Sequence, residues 1–147
     1  MRSLLLHSIV LLAILLGLPL AAADADTERL KELDAFWVKI SRAVKEGDFE
    51  SYKSTCHTEG VLVAGIKKMS QPLSKALERW KHEFDDTKSG KIKASVEFRF
   101  SQRMGDETSA HETGIFLYSN TDGGGKQEYI HFEVLLVKRE GWKTLME

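Results

Sequence analysis

Lys91-Ile-Lys-Ala-Ser-Val-Glu-Phe-Arg-Phe-Ser-Gln-Arg-Met104, then Gly105-Asp106, then Glu107-Thr-Ser-Ala-His-Glu-Thr-Gly-Ile-Phe-Leu-Tyr-Ser119, is the stretch on which the fold turns. Its first half alternates, with Ile92, Ala94, Val96, Phe98, Phe100 and Met104 in one phase and Lys93, Glu97, Arg99 and Arg103 in the other. A period of two marks a half-buried strand. Gly105-Asp106 fits a two-residue type II′ turn with Gly in first place. A loop of that length makes Phe100 oppose His111, Arg99 oppose Glu112 and Phe98 oppose Thr113. The register therefore sets His111 on the apolar face among phenylalanines. It sets an Arg99–Glu112 ion pair on the other face, which also carries Phe116 and Tyr118 and suits an interface.

Downstream, Asn120 to Gly125 leads into Glu128 to Lys138, rich in β-branched and aromatic residues. Ile130, Phe132, Val134 and Leu136 form a wholly apolar phase, the natural core face, so His131 and Glu133 are expected to point outward. The Gly-rich loop leaves the register to the preceding strand unset, so entry of Glu133 into a polar pocket stays open as the alternative. Glu140-Gly141 turns the chain into a last strand, Trp142 to Met146.

Upstream, Leu30, Leu33, Phe36, Trp37, Ile40 and Val44 recur at spacings of three and four, an amphipathic helix that Gly47 stops. Asp48 is a good N-cap for a short second helix. Val61-Leu62-Val63 is a short strand, and Ser70-Gln71-Pro72 opens a third helix with Leu73, Leu77, Trp80 and Phe84 as its buried stripe. Helices set apart from antiparallel strands make an α+β domain.

The first residues are of another kind. Met1-Arg2-Ser3, an apolar run from Leu4 to Leu18, and Ala21-Ala22-Ala23 have the layout of a signal peptide over 1–23, with cleavage after Ala25 also fitting. The apolar centre is shorter than the roughly 20 residues of a membrane span. The expected localisation is secreted or periplasmic, with residues 24–147 as a single domain that has no membrane contact after cleavage. Twenty-one basic residues against 22 acidic ones give a net charge of −1, which offers no footprint for nucleic acid. Cys56 is the only cysteine, so an exported chain has no internal disulfide, and its thiol is expected to be buried.

This order of elements resembles the nuclear transport factor 2-like superfamily and, within it, the SnoaL-like group and its secreted relatives. The residues that carry the resemblance are Phe36-Trp37, Gly47-Asp48-Phe49-Glu50, His57, Leu73 to Trp80 and Gly141-Trp142-Lys143. It implies a cystatin-like cone, in which a curved antiparallel sheet is covered by three N-terminal helices around a pocket, commonly as a homodimer through the sheet's outer face. The superfamily holds isomerases, cyclases, dehydratases, association domains and binders without catalysis, so the fold does not select a function. Its isomerases carry a catalytic acid after the first short strand; Val63-Ala64-Gly65 has none.

For catalysis the candidates are His111 as a desolvated neutral base, with Glu133 or Tyr118 assisting. A core histidine satisfied by hydrogen bonding is the alternative. Trp37, Trp80, Phe98, Phe100 and His57 are the candidate pocket residues, the two tryptophans because large aromatics line apolar sites. No His-x-His or Cys-x-x-Cys spacing points to a metal, and no cofactor is expected. The expectation is an exported, dimeric domain that binds a small molecule in a mostly apolar pocket. The alternatives are a lyase or isomerase using His111 as base, and a non-catalytic association module.

Overall fold

The structure, a computed structural model, describes residues 25–121 and 127–147. The expected signal peptide, 1–23, and the Gly-rich loop lie outside the described residues. Helix α1 spans 25–46, and its stripe of Leu33, Phe36, Trp37, Ile40 and Ala43 is buried. Gly47 ends it at φ +67, where a Cβ would stand 2.4 Å from the Lys88 backbone nitrogen, so this turn needs glycine on both counts. Asp48 then caps α2 (Phe49–Lys53), its carboxylate accepting the Ser51 N–H at 3.0 Å.

Next come β1 (Cys56–Ala64), a 3₁₀ turn (Gly65–Lys67), β2 (Met69–Pro72) and α3 (Leu73–Lys88). The chain ends in β3 (Ala94–Gly105), β4 (Ser109–Asn120), β5 (Gln127–Lys138) and β6 (Trp142–Met146). The six strands form one curled sheet in the order β2-β1-β6-β5-β4-β3. Three differences from the sequence reading matter. The short strand grows to the nine residues of β1 and gains β2 as a partner; α3 starts at Leu73 because the chain before it is spent on that pairing. β1 also lies parallel to β6, which makes the sheet mixed rather than antiparallel. Helix α1 packs on the concave face, where Leu33, Phe36, Trp37 and Ile40 join Val96, Ala110, Val134, Leu136 and Trp142 in one core.

The β3–β4 hairpin departs from the simplest register twice. Its loop has three residues, 106–108, rather than two, because the Asp106 carboxylate accepts the N–H groups of Thr108 and Ser109 at 2.7 and 2.8 Å and so builds a longer turn. These bonds hold the Asp106 carboxyl down at about 2. Further along, Phe100 pairs with Gly114 but Gln102 pairs with Thr113, which leaves Ser101 as an extra, bulged residue. A one-residue bulge changes which face every later side chain occupies. On one side of it Phe98 opposes Phe116 and Val96 opposes Tyr118; on the other Arg103 opposes Glu112 and Met104 opposes His111.

Several expectations are therefore corrected. Glu112 is fully buried on the concave face, while Met104 is 47 % exposed, so His111 beside it lies on the outer face, away from Phe98 and Phe100. Arg99 opposes Ile115 and makes no pair with Glu112. Phe116 and Tyr118 point inward and cannot serve an outer interface. The reading of β5 matches the structure: Val134 and Leu136 are buried, and His131 and Glu133 are exposed.

Gly114 sits opposite the bulge, and a Cβ there would meet the Arg99 carbonyl oxygen at 2.1 Å. In an ordinary strand Gly→Ala is mildly stabilising. Here Gly114→Ala is expected to lower stability by about 2 kcal/mol. Urea unfolding of the two proteins checks the sign, and a more stable variant would contradict the bulged geometry.

Candidate functional site

The inward turn of Arg103 creates a polar knot under α1. Glu112 accepts the Trp37 indole N–H at 2.5 Å and a hydrogen bond from Arg103 Nε. The same guanidinium reaches Asp34 at 2.5 Å and lies over the Phe100 ring, 4.4 Å from its centroid. Burial works against the Arg103 charge, but Asp34 and Glu112 outweigh it and hold the guanidinium above its ordinary value. Trp37 is thereby fixed in orientation. Its ring packs 4.5 Å from that of Phe98 and 5.7 Å from that of Phe132.

On the far side of Trp37 the concave face is not filled. A partly open cavity of about 260 Å³ lies between it and the helices. Helix α1 contributes Trp37 and Ile40, α2 contributes Tyr52, and α3 contributes Trp80, Glu83 and Phe84 at helical spacing. The sheet contributes Val96, Phe98, Phe116, Tyr118 and Phe132. The wall is apolar and aromatic with few polar groups, as small-molecule sites are.

Those polar groups cluster in two places. Glu83 Oε1 accepts a hydrogen bond from the Tyr118 hydroxyl and another from Asn120 Nδ2 at 2.8 Å. Burial, and then the Glu83 carboxylate, push the Tyr118 hydroxyl up to about 12. Glu147 lines the cavity near Tyr52 and Cys56. It is half-buried by surface area yet set deep among protein atoms, as a side chain facing a cavity is, and burial pushes its carboxyl up to about 7. Burial also raises Tyr52, and it raises the half-buried Cys56 thiol to about 12, so this thiol is a poor nucleophile.

Of the residues singled out from the sequence, Trp37, Trp80, Phe98 and Tyr118 line the cavity. Phe100 packs on Trp37 at 5.4 Å but lies outside the lining. His57 stands at the start of β1, its Nδ1 accepting the Glu59 N–H at 3.1 Å. His111 and Glu133 do meet, Nε2 to Oε1 at 2.7 Å, but on the outer face, with the sheet between them and Tyr118. Among the described residues no group of three His, Cys, Asp or Glu side chains is placed to hold a metal ion. No helix of the described residues is long and apolar enough to cross a membrane. Glu83, Asn120 and Glu147 escaped the sequence reading. Glu83 had a signal: it lies three residues after Trp80 and one before Phe84, a carboxylate inside an apolar stripe.

Residues 29–145 match the family described as the calcium/calmodulin dependent protein kinase II association domain. No curated protein matches the chain. Among solved structures, an NTF-2 like protein of unknown function from Shewanella oneidensis superposes with TM-score 0.66 at 15% identity, over 80% of this chain and 95% of that one. A protein from Catenulispora acidiphila in complex with S-DNPA gives 0.62 at 18%, over 82% and 90%. One assigned to the calcium/calmodulin dependent protein kinase II association domain, from Xanthomonas campestris, gives 0.53 at 19%, over 78% and 81%. These likenesses establish the nuclear transport factor 2-like fold.

The Glu147 carboxyl makes stability depend on pH. Its ordinary value is 4.5 and its folded value about 7, so the folded state holds the proton more tightly. That contribution is full below about 4.5 and is lost as pH rises through about 7. Tyr52 and Cys56 beside it stay protonated throughout, both held up by burial. At 1.36 kcal/mol per unit the loss is at most about 3 kcal/mol. Denaturant unfolding should show wild type losing stability from about pH 5 to about pH 8, and Glu147→Gln should lose less over that range. Equal pH slopes would contradict the buried carboxyl.

Proposed function

The chain belongs to the calcium/calmodulin dependent protein kinase II association domain family, and we propose that it acts as a small-molecule-binding domain whose site is the cavity under α1 and α3. One observation carries this reading. The concave face leaves a space of about 260 Å³ whose wall is mostly aromatic yet includes the hydrogen-bonded Glu83–Tyr118–Asn120 group. A domain that only associated with itself would gain by closing that space, since dispersion contacts are forfeited wherever a wall has no partner atoms. The S-DNPA complex of the Catenulispora protein supports the reading by analogy of fold alone. Base catalysis by His111 finds no such support, because its imidazole is across the sheet from the cavity.

Self-association and export belong to the same proposal. The outer face of β3–β5 carries Ile115, Leu117 and a Tyr129 that is 69 % exposed, a surface suited to a second copy. Residues 1–23 would deliver the domain to an oxidising compartment, where its single cysteine is no hindrance. Light scattering and intact mass on protein recovered from an exporting host are expected to give a dimer whose chains start at Asp24. A monomer at high concentration, or a retained amino terminus, would remove the respective part.

Binding is tested with indole, a neutral ring of a size the cavity holds. Calorimetry is expected to give saturable one-to-one binding, and Ala94→Phe, which fills the wall on β3, should abolish it while the far-ultraviolet circular dichroism is kept. Unchanged binding in that variant would place the site elsewhere.

A further inference from the structure

The ionisable side chains on the cavity wall are one-sided. Glu83 and Glu147 are there, and among the described residues no lysine, arginine or histidine is. Two cations at neighbouring positions serve other partners: Arg79 lies over the ring of the lining residue Trp80, and Lys143 is hydrogen-bonded to the Ser54 carbonyl. Both hydrogen bonds received by the Glu83 carboxylate fall on Oε1, from Tyr118 and Asn120, so among the described residues Oε2 is left for a further donor. Tyr118 and Asn120 hold the carboxylate in place before any ligand arrives, which lowers the ordering cost of binding. Glu147 has no side-chain hydrogen-bond partner among the described residues, and a cation beside it would favour its ionised form. The same wall carries the rings of Trp37, Tyr52, Trp80, Phe98, Phe116 and Phe132. Aromatic rings attract a desolvated cation through their quadrupole, and a carboxylate completes its hydrogen bonding. An anionic ligand would find no counter-charge among the described lining residues and would be repelled by both acids.

Resting on the ligand-binding reading above, we infer that the cavity selects organic ammonium ions, in the form of small one- or two-ring amines. The cationic nitrogen is held by Glu83, and the ring lies among the aromatic side chains of α1 and the sheet. A volume of about 260 Å³ limits the ligand to this size.

Three probes sharing one ring separate the terms: tryptamine, 3-ethylindole and indole-3-propionate, titrated into the full-length folded protein by calorimetry near pH 7.5. Tryptamine is expected to bind about ten-fold tighter than 3-ethylindole, with indole-3-propionate weaker than both. Glu83→Gln should bring the ratio of tryptamine to 3-ethylindole close to unity. Equal affinity of wild type for tryptamine and 3-ethylindole, or preference for indole-3-propionate, would overturn the selection of cations and leave the binding cavity standing. Absence of saturable binding by all three would overturn the cavity reading as well. If Glu83→Gln does not fold, the three wild-type affinities decide the matter alone.

Discussion

One extra residue in β3 sets the arrangement on which the remainder depends. With Ser101 bulged out, β3 presents Val96, Phe98 and Phe100 inward on one side and Arg103 inward on the other. Without it, Met104 would enter the concave face and Glu112 would be left there with no guanidinium. An unpaired buried carboxylate costs several kcal/mol, and removing one partner of such a pair typically costs about 3–5 kcal/mol. The bulge, the fully buried Glu112 and the absence of a side chain at Gly114 are thus one constraint. Arg29, itself buried, ties the start of α1 to the Gly105 carbonyl at the hairpin tip, so helix and hairpin are fixed together.

The site follows from that constraint through Trp37. Glu112 takes the indole N–H and turns the ring so that one part closes the core with Phe36 and the other faces the cavity. Beyond it the space between sheet and helices is left lined by rings rather than filled by them. Two carboxylates then stand where a packed core would have apolar groups. Glu83 is held by Tyr118 and Asn120, and Glu147 has burial to contend with. Such placements are unfavourable to stability and make sense at a site that meets a ligand.

The elements were largely legible in the sequence because their periods are strong. The stripe of α1, the Asp48 cap, the apolar phase of β5 and the Gly141 turn all speak locally. The parity of β3 was not, because a bulge is a local departure from alternation that the alternating residues on both sides conceal. Ser101 is polar in a polar phase and gives no warning, and Gly105-Asp106 imitates a two-residue turn that the Asp106 side chain in fact lengthens. Uninterrupted alternation places His111 inward and Glu112 outward, the reverse of their places in the bulged strand pair. Trp37, Trp80 and Phe98 were recoverable as cavity wall because they lie on elements whose faces the sequence reveals. Asn120 and Glu147 were not, since strand ends have no phase of their own to read.

The three tryptophans of the chain provide the most direct test of whether the concave side, rather than the outer face, receives the ligand. Trp37 and Trp80 line the cavity, while Trp142 donates its indole N–H to Glu32 outside it, at 2.9 Å. In a ¹⁵N-labelled sample titrated with tryptamine, the indole resonances of Trp37 and Trp80 are expected to move together and saturate, with Trp142 still. Saturating shifts confined to outer-face residues such as His111 and Tyr129, with Trp37 and Trp80 unmoved, would contradict the account.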